Sequence, residues 1–186
     1  YLALNLIVIG SGLAYLVFHP HFFAAWYENL TTGNWYLKEA VVSGHSWGSI
    51  AAVSLLFFPK LALGLSGFET GVAVMPLIEG DEGDTPEHPR ARIRNTRKLL
   101  ATAALIMSVF LIGSALVTAT LIPPEALINA EHVGGEAVAN TPQAGKAVDR
   151  ALAYLAHGQS PHAINPFFGE AFGTMYDVAT VIILSF

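Results

Sequence analysis

Apolar residues in this chain fall in long unbroken runs rather than in the alternation of a strand or the stripe of an amphipathic helix. Tyr1–Phe18 contains no charged residue, and neither does Leu99–Pro124. About 20 residues at ~1.5 Å rise cross a ~30 Å hydrocarbon core, so such runs predict membrane-spanning helices. Gly, Ser and Thr within them fit, because small residues let membrane helices approach closely. The pattern predicts an all-α membrane protein with one transmembrane domain over 1–186 and four spans, at about 1–18, 47–78, 99–122 and 167–186.

The breaks between runs carry turn and interface chemistry. His19-Pro20-His21 ends the first span, because the residue before a proline is disfavoured in the α conformation. Phe22, Phe23, Trp26 and Tyr27 follow, an aromatic cluster suited to a membrane–water interface. The rest of this connector, Glu28–Ser43, is polar and reads as a turn around Thr31–Asn34. The second run is 32 residues long and would reach ~48 Å as one helix. With Pro59, Gly64, Gly67, Gly71 and Pro76 inside it, two half-helices joined by an unwound stretch near Ser66–Gly71 are expected. Five of the nine Lys and Arg residues lie between Arg90 and Lys98. Under the positive-inside rule the connector 79–98 faces the cytoplasm, and 19–46 and 123–166 are external. Within 123–166 the spacing of Val148, Leu152 and Leu155 predicts an amphipathic helix around Gln143–His157.

Composition sharpens this picture. Charged residues make up 12% of the chain, against roughly 25% in soluble domains. With one short basic cluster and a net charge of −5, nucleic-acid binding is not indicated. The chain has no cysteine, which excludes disulfides and thiolate metal sites. It opens and closes inside apolar runs, as expected of a fragment of a longer protein.

Several residues are candidates for chemistry. Gly44-His45-Ser46-Trp47-Gly48 matches the G-x-S-x-G nucleophile elbow. An α/β serine hydrolase would use Ser46, with His157 or His162 as base and Asp149 as orienting acid. The alternative is that Ser46 is a helix N-cap and Trp47 an interface anchor. Glu69 lies near mid-span, where a carboxylate costs about 2.5–3.5 kcal/mol and so faces a cavity or a partner. It sits in Ser66-Gly67-Phe68-Glu69-Thr70-Gly71, and broken helices of this kind build substrate sites at the bilayer midplane. Lys60 either snorkels outward or lines a route to Glu69. Asp177 and Glu170, seven residues apart, share a face of the fourth span, with Asp177 the deeper. The seven histidines, including His19 and His21, show no metal-ligand spacing, and neither a metal nor a cofactor is expected.

The stretch Leu63-Gly64-Leu65-Ser66-Gly67-Phe68-Glu69-Thr70, followed by Pro89-x-x-x-Ile93 and a basic approach to a new span, resembles the amino acid–polyamine–organocation permease superfamily. The resemblance runs over the whole chain and places it at the fifth to eighth transmembrane helices. It implies a five-plus-five inverted-repeat fold in the plasma membrane, with a discontinuous sixth helix touching substrate. The implied activity is secondary active transport of amino acids or related small cationic or zwitterionic solutes. Ser66, Gly67, Phe68, Glu69 and Thr70 would bind substrate, and Glu69 and Asp177 would couple transport to H+ or Na+. Lipid, the small solute and the coupling ion would be its partners. A membrane subunit with no transport of its own is the other alternative.

Overall fold

The computed structural model describes residues 1–32, 46–63, 77–80, 84–85, 88–127 and 145–185, with the side chains of 60–63 excluded. Its elements are α1 (Leu2–Phe18), α2 (His21–Thr32), α3 (Trp47–Leu63), α4 (Arg90–Leu121), α5 (Ala151–Ala156) and α6 (Glu170–Leu184). A short 3-10 turn, Pro124–Leu127, follows α4. Among the described residues there is no strand, only an isolated bridge between Thr85 and His88. The fold is all-helical, and the sheet that a hydrolase elbow requires is absent from the described residues. The chain forms two compact units, one of Tyr1–Tyr27 with Phe110–Phe186, the other of Glu28–Val109.

In the first unit α1 ends at His19-Pro20, as the proline dictates, but the chain does not then become an irregular connector. It turns through 90° into α2. Pro20 lacks an amide hydrogen and so starts a helix at no cost in unmade bonds. Its carbonyl accepts from the Ala24 amide. The polar residues expected to form a turn instead close the helix, with the Thr31 and Thr32 hydroxyls donating to the Glu28 carbonyl.

The core of this unit gathers Val8 and Leu16 of α1, Val117 and Leu121 of α4, Tyr154 and Leu155 of α5, and Tyr176 of α6. Gly12 of α1 lies directly against the Val117 side chain, and Gly113 of α4 against Ile9. One glycine on each helix removes the side chain that would hold the two backbones apart. Beyond α4 the connector folds back on itself, with the Gly145 and Ala147 amides donating to the carbonyls of Glu125 and Ala126. The helix expected over Gln143–His157 shrinks to the six residues of α5. Gly145 and Asp149 take left-handed backbone angles, which break a continuing helix.

In the second unit Ser46 precedes α3 and accepts a hydrogen bond from the Ser49 amide at 3.3 Å. Helix α4 starts at Arg90 rather than after the basic cluster. Cations in a first turn oppose the helix dipole, and Asp84 answers this. Its two carboxylate oxygens accept the amides of Ala91 (3.0 Å) and Arg92 (2.8 Å). The Asn95 amide also ties the preceding chain down by donating to the Glu79 carbonyl.

Helices α3, α4 and α6 carry apolar side chains that the chain leaves uncovered. Leu55, Leu56 and Phe58 of α3, Leu105, Ile106, Val109, Leu111 and Ile112 of α4, and Val181–Leu184 of α6 are exposed. Only 11% of the most apolar stretch of α4 is buried, and α4 is the one described helix long and apolar enough by itself to cross a bilayer. The bent α1–α2 pair passes the same test taken together, while α3 is apolar but shorter.

Two outcomes follow from this packing. Gly12→Leu should drive a side chain into Val117 and cost about 1–3 kcal/mol, read as a lowered midpoint of thermal unfolding in detergent. The Ala91 amide above all, with smaller help from the Arg92 amide and the charges of Arg92 and Arg94, holds the Asp84 carboxyl below its usual range; desolvation, second in size only to the Ala91 amide, opposes them. A depressed carboxylate stabilises the fold above its unfolded pKa, about 4, and that stabilisation disappears as pH falls through the folded value. Protection of the Ala91 and Arg92 amides from exchange, taken relative to the intrinsic rate at each pH, should therefore fall on acidification below about pH 4, and in Asp84→Asn it should be lowered already at neutral pH.

Candidate functional site: a polar seam between α1, α5 and α6

Polar groups of the first unit meet where its helices face one another. Asn5 of α1 is buried at 5% exposure. Its amide donates to the Tyr1 carbonyl at 3.1 Å, and its carbonyl oxygen accepts from the Tyr176 hydroxyl of α6 at 2.8 Å. One turn and a half along α1, the Ser11 hydroxyl accepts from the Asn165 amide at 2.8 Å. Asn165 is itself fixed by the Phe167 amide, which donates to its side-chain oxygen. The Ser160 hydroxyl donates to the Leu121 carbonyl at the end of α4. The bonds Tyr176–Asn5, Asn165–Ser11 and Ser160–Leu121 join segments far apart in sequence, so each fixes a register between elements.

The charged end of the seam is built around His157, just after α5. Its Nε2 lies 2.9 Å from Asp177 Oδ2 and its Nδ1 3.6 Å from Glu170 Oε2. The imidazole is only 9% exposed, against 45% for Asp177 and 87% for Glu170. Gly173, one turn on from Glu170, forms the floor beneath the ring. A Cβ there would overlap the ring's Cγ, Nδ1 and Cδ2 atoms. The connector is held in place by the Gly169 amide, which donates to the Ala156 carbonyl at 3.1 Å.

A third cluster sits where α1 turns into α2. The Tyr15 and His19 rings stack at 4.1 Å, and His162 packs on Phe22 at 4.4 Å. His19 Nδ1 donates to the Tyr15 carbonyl. Burial, then the neighbouring His21 and His19, lower the His162 pKa, so its packed form is the neutral one. Among the described residues no three His, Asp or Glu side chains converge closely enough to hold a metal ion.

Of the residues singled out in the sequence, Asp177 and Glu170 do share a face of α6, and His157 lies between them. Ser66, Gly67, Phe68, Glu69 and Thr70 lie outside the described residues, as does the Lys60 side chain. The Ser46 hydroxyl is 3.1 Å from that of Ser49 at the start of α3, and Asp149 lies exposed in a turn. The bond His157 makes is to Asp177. Sequence reasoning missed Asn5, Ser11, Asn165 and Tyr176, single polar residues in apolar or loop surroundings. One signal was available for the His157 pocket. Glu170, Gly173 and Asp177 lie three and four residues apart, so one helix face presents two carboxylates with a ring-sized gap between them.

No known protein family, curated protein or solved structure matches the chain. Tyr176→Phe would leave the buried Asn5 oxygen without its donor, a loss of about 1–2 kcal/mol. The expected readout is a lowered unfolding midpoint that is restored by a second change, Asn5→Leu, which removes the orphaned acceptor.

Proposed function

We propose that this chain is the membrane-embedded part of a secondary active transporter that moves amino acids or related small cationic or zwitterionic solutes. The observation that carries the reading is the distribution of polarity. Apolar side chains of α3, α4 and α6 face outward uncovered, while Asn5, Ser11, Asn165, Tyr176 and the His157–Asp177 pair meet between helices. Water would reward the opposite arrangement. A bilayer rewards this one, because polar groups within it must find partners on neighbouring helices.

The hydroxyls on the spans support the same solvent. Ser114, Thr118 and Thr120 of α4 and Thr174 and Thr180 of α6 each donate to a carbonyl of their own helix. Those five hydroxyls therefore present no unmet donor to lipid. The basic first turns of α4, Arg90–Lys98, then lie at the cytoplasmic surface. The five-plus-five inverted-repeat architecture, the plasma-membrane location and the broken helix at Ser66–Gly71 belong to this proposal through the sequence resemblance. So do substrate contacts at Ser66, Gly67, Phe68, Glu69 and Thr70 and ion or proton coupling through Glu69 and Asp177. No catalytic step is assigned to any residue.

Reconstitution of the full protein into liposomes tests the reading. Radiolabelled amino acids should enter against a gradient only when a proton or sodium gradient is imposed. Glu69→Gln should abolish or uncouple that uptake, with membrane insertion unchanged by single-cysteine labelling at Thr32 (external) and Asp84 (cytoplasmic). Uptake by Glu69→Gln at the wild-type rate would remove Glu69 from the mechanism, and labelling of both cysteines from the same side would overturn the topology.

A further inference from the structure

The hydrogen bonding of His157 is incomplete in an informative way. Its Nδ1 is buried and makes no hydrogen bond, although the ring is wedged between two carboxylates. An ionised carboxylate only accepts hydrogen bonds, so the 2.9 Å contact with Asp177 requires a hydrogen on Nε2. In a neutral imidazole that leaves Nδ1 as a bare lone pair. It would then face Glu170 Oε2 at 3.6 Å, acceptor against acceptor, with Nδ1 itself closed off from water. The ring cannot swing away from this conflict, because Gly173 closes against it and leaves no room behind. A second proton on the ring removes the conflict. Each nitrogen then presents an N–H to a carboxylate, and charge-assisted bonds of this kind are about twice as strong as neutral ones.

We propose that His157 is a proton-binding site, an imidazolium bridging Asp177 and Glu170, and that the bound proton latches the α5 connector onto α6. The charged groups facing the ring from α6 are Asp177 and Glu170. Helix α1, the other helix packed against α5, has no Asp, Glu, Lys, Arg or His, and its one ionisable side chain is Tyr15. Neither α1 nor α6 carries a Lys or Arg to compete with the proton. When the Nδ1 proton leaves, the lone pair and the Glu170 carboxylate repel, and the bond from the Gly169 amide to the Ala156 carbonyl is the backbone tie that remains. The latch stands on the geometry of one unit. Only its consequence for uptake rests on the transport reading: proton occupancy at His157 sets whether the Asp177 carboxylate is paired with a cation or accepts a hydrogen bond from a neutral ring.

The full protein labelled with 15N-histidine, in lipid nanodiscs at neutral pH, gives the test. His157 signals are assigned by their loss in His157→Gln, or by their response to Glu170→Gln if that variant fails to fold. Both ring nitrogens of His157 should be protonated, whereas the neutral His162 should show one bare nitrogen. In Glu170→Gln, an exposed and structurally mild change, the negative charge facing Nδ1 is removed, and any bond the neutral side chain makes there is of the weaker, uncharged kind. The ring should then lose its second proton and keep the one on Nε2. Amide exchange at Gly169 should rise several-fold in the same variant. A bare Nδ1 in the wild-type protein overturns the proton site. A proton lost in Glu170→Gln without faster exchange at Gly169 overturns the latch. Neither readout needs uptake, so a protein that transports nothing could still hold the proton, and a failed latch would leave the Glu69 experiment standing.

Discussion

An apolar helix that its own chain does not cover must be covered by something else, and most of this structure turns on that requirement. Helix α4 leaves nearly nine-tenths of its most apolar stretch outside the fold. At about 25 cal/mol per Å2 of apolar surface, that exposure would be a severe penalty in water. In hydrocarbon, the solvent proposed here, it would cost nothing, and the hydrophobic effect would no longer drive the helices together. Other forces must then do so. Here they are close backbone approach, through Gly12 and Gly113, and hydrogen bonds between segments distant in sequence, such as Tyr176 to Asn5 and Asn165 to Ser11.

The same exchange of solvent governs the charged groups. A carboxylate on an exposed surface needs no partner, but two of this chain's sit where helices begin or meet. Asp84 spends both oxygens on the first amides of α4, in the company of a cluster of arginines. Asp177 takes a histidine. In both cases a negative charge is answered by donors fixed in direction by backbone or by packing, so little reorganisation is required to hold it.

How much of this was legible in the sequence depends on the range of the forces involved. The charge-free runs announced α1 and α4, because a helix in an apolar solvent is set by local composition. His19-Pro20 announced the end of α1 for a local steric reason. Helix α4 extends back from the expected span to Arg90 because Asp84 caps it from six residues ahead, outside any local capping pattern. Helix α2 was missed because its polar residues suggested a turn, while Pro20 and the aromatic residues after it favoured another helix. The site was legible only along one helix. Glu170 and Asp177 could be paired by counting seven residues, but His157 comes from a different segment and reaches them through a pocket that exists because residue 173 has no side chain. Asn5 and Tyr176 are 171 positions apart, a distance at which no spacing rule operates. For Ser66–Thr70 the sequence remains the sole source.

Helix α4 has one further consequence, which concerns the membrane rather than the protein. Its segment from Leu99 to Leu121 carries no charge over 23 residues, or ~35 Å at the α-helical rise, against a ~30 Å hydrocarbon core. The surplus cannot be relieved by unwinding at the N-terminus, where Asp84 holds the first amides. Nor is the other end loose, since the Leu121 carbonyl accepts the Ser160 hydroxyl. In the bilayer proposed for this chain, the mismatch would be met by tilting the helix or by thickening the surrounding lipid. Lipid chain length would then act on the protein directly, through the angle of one helix.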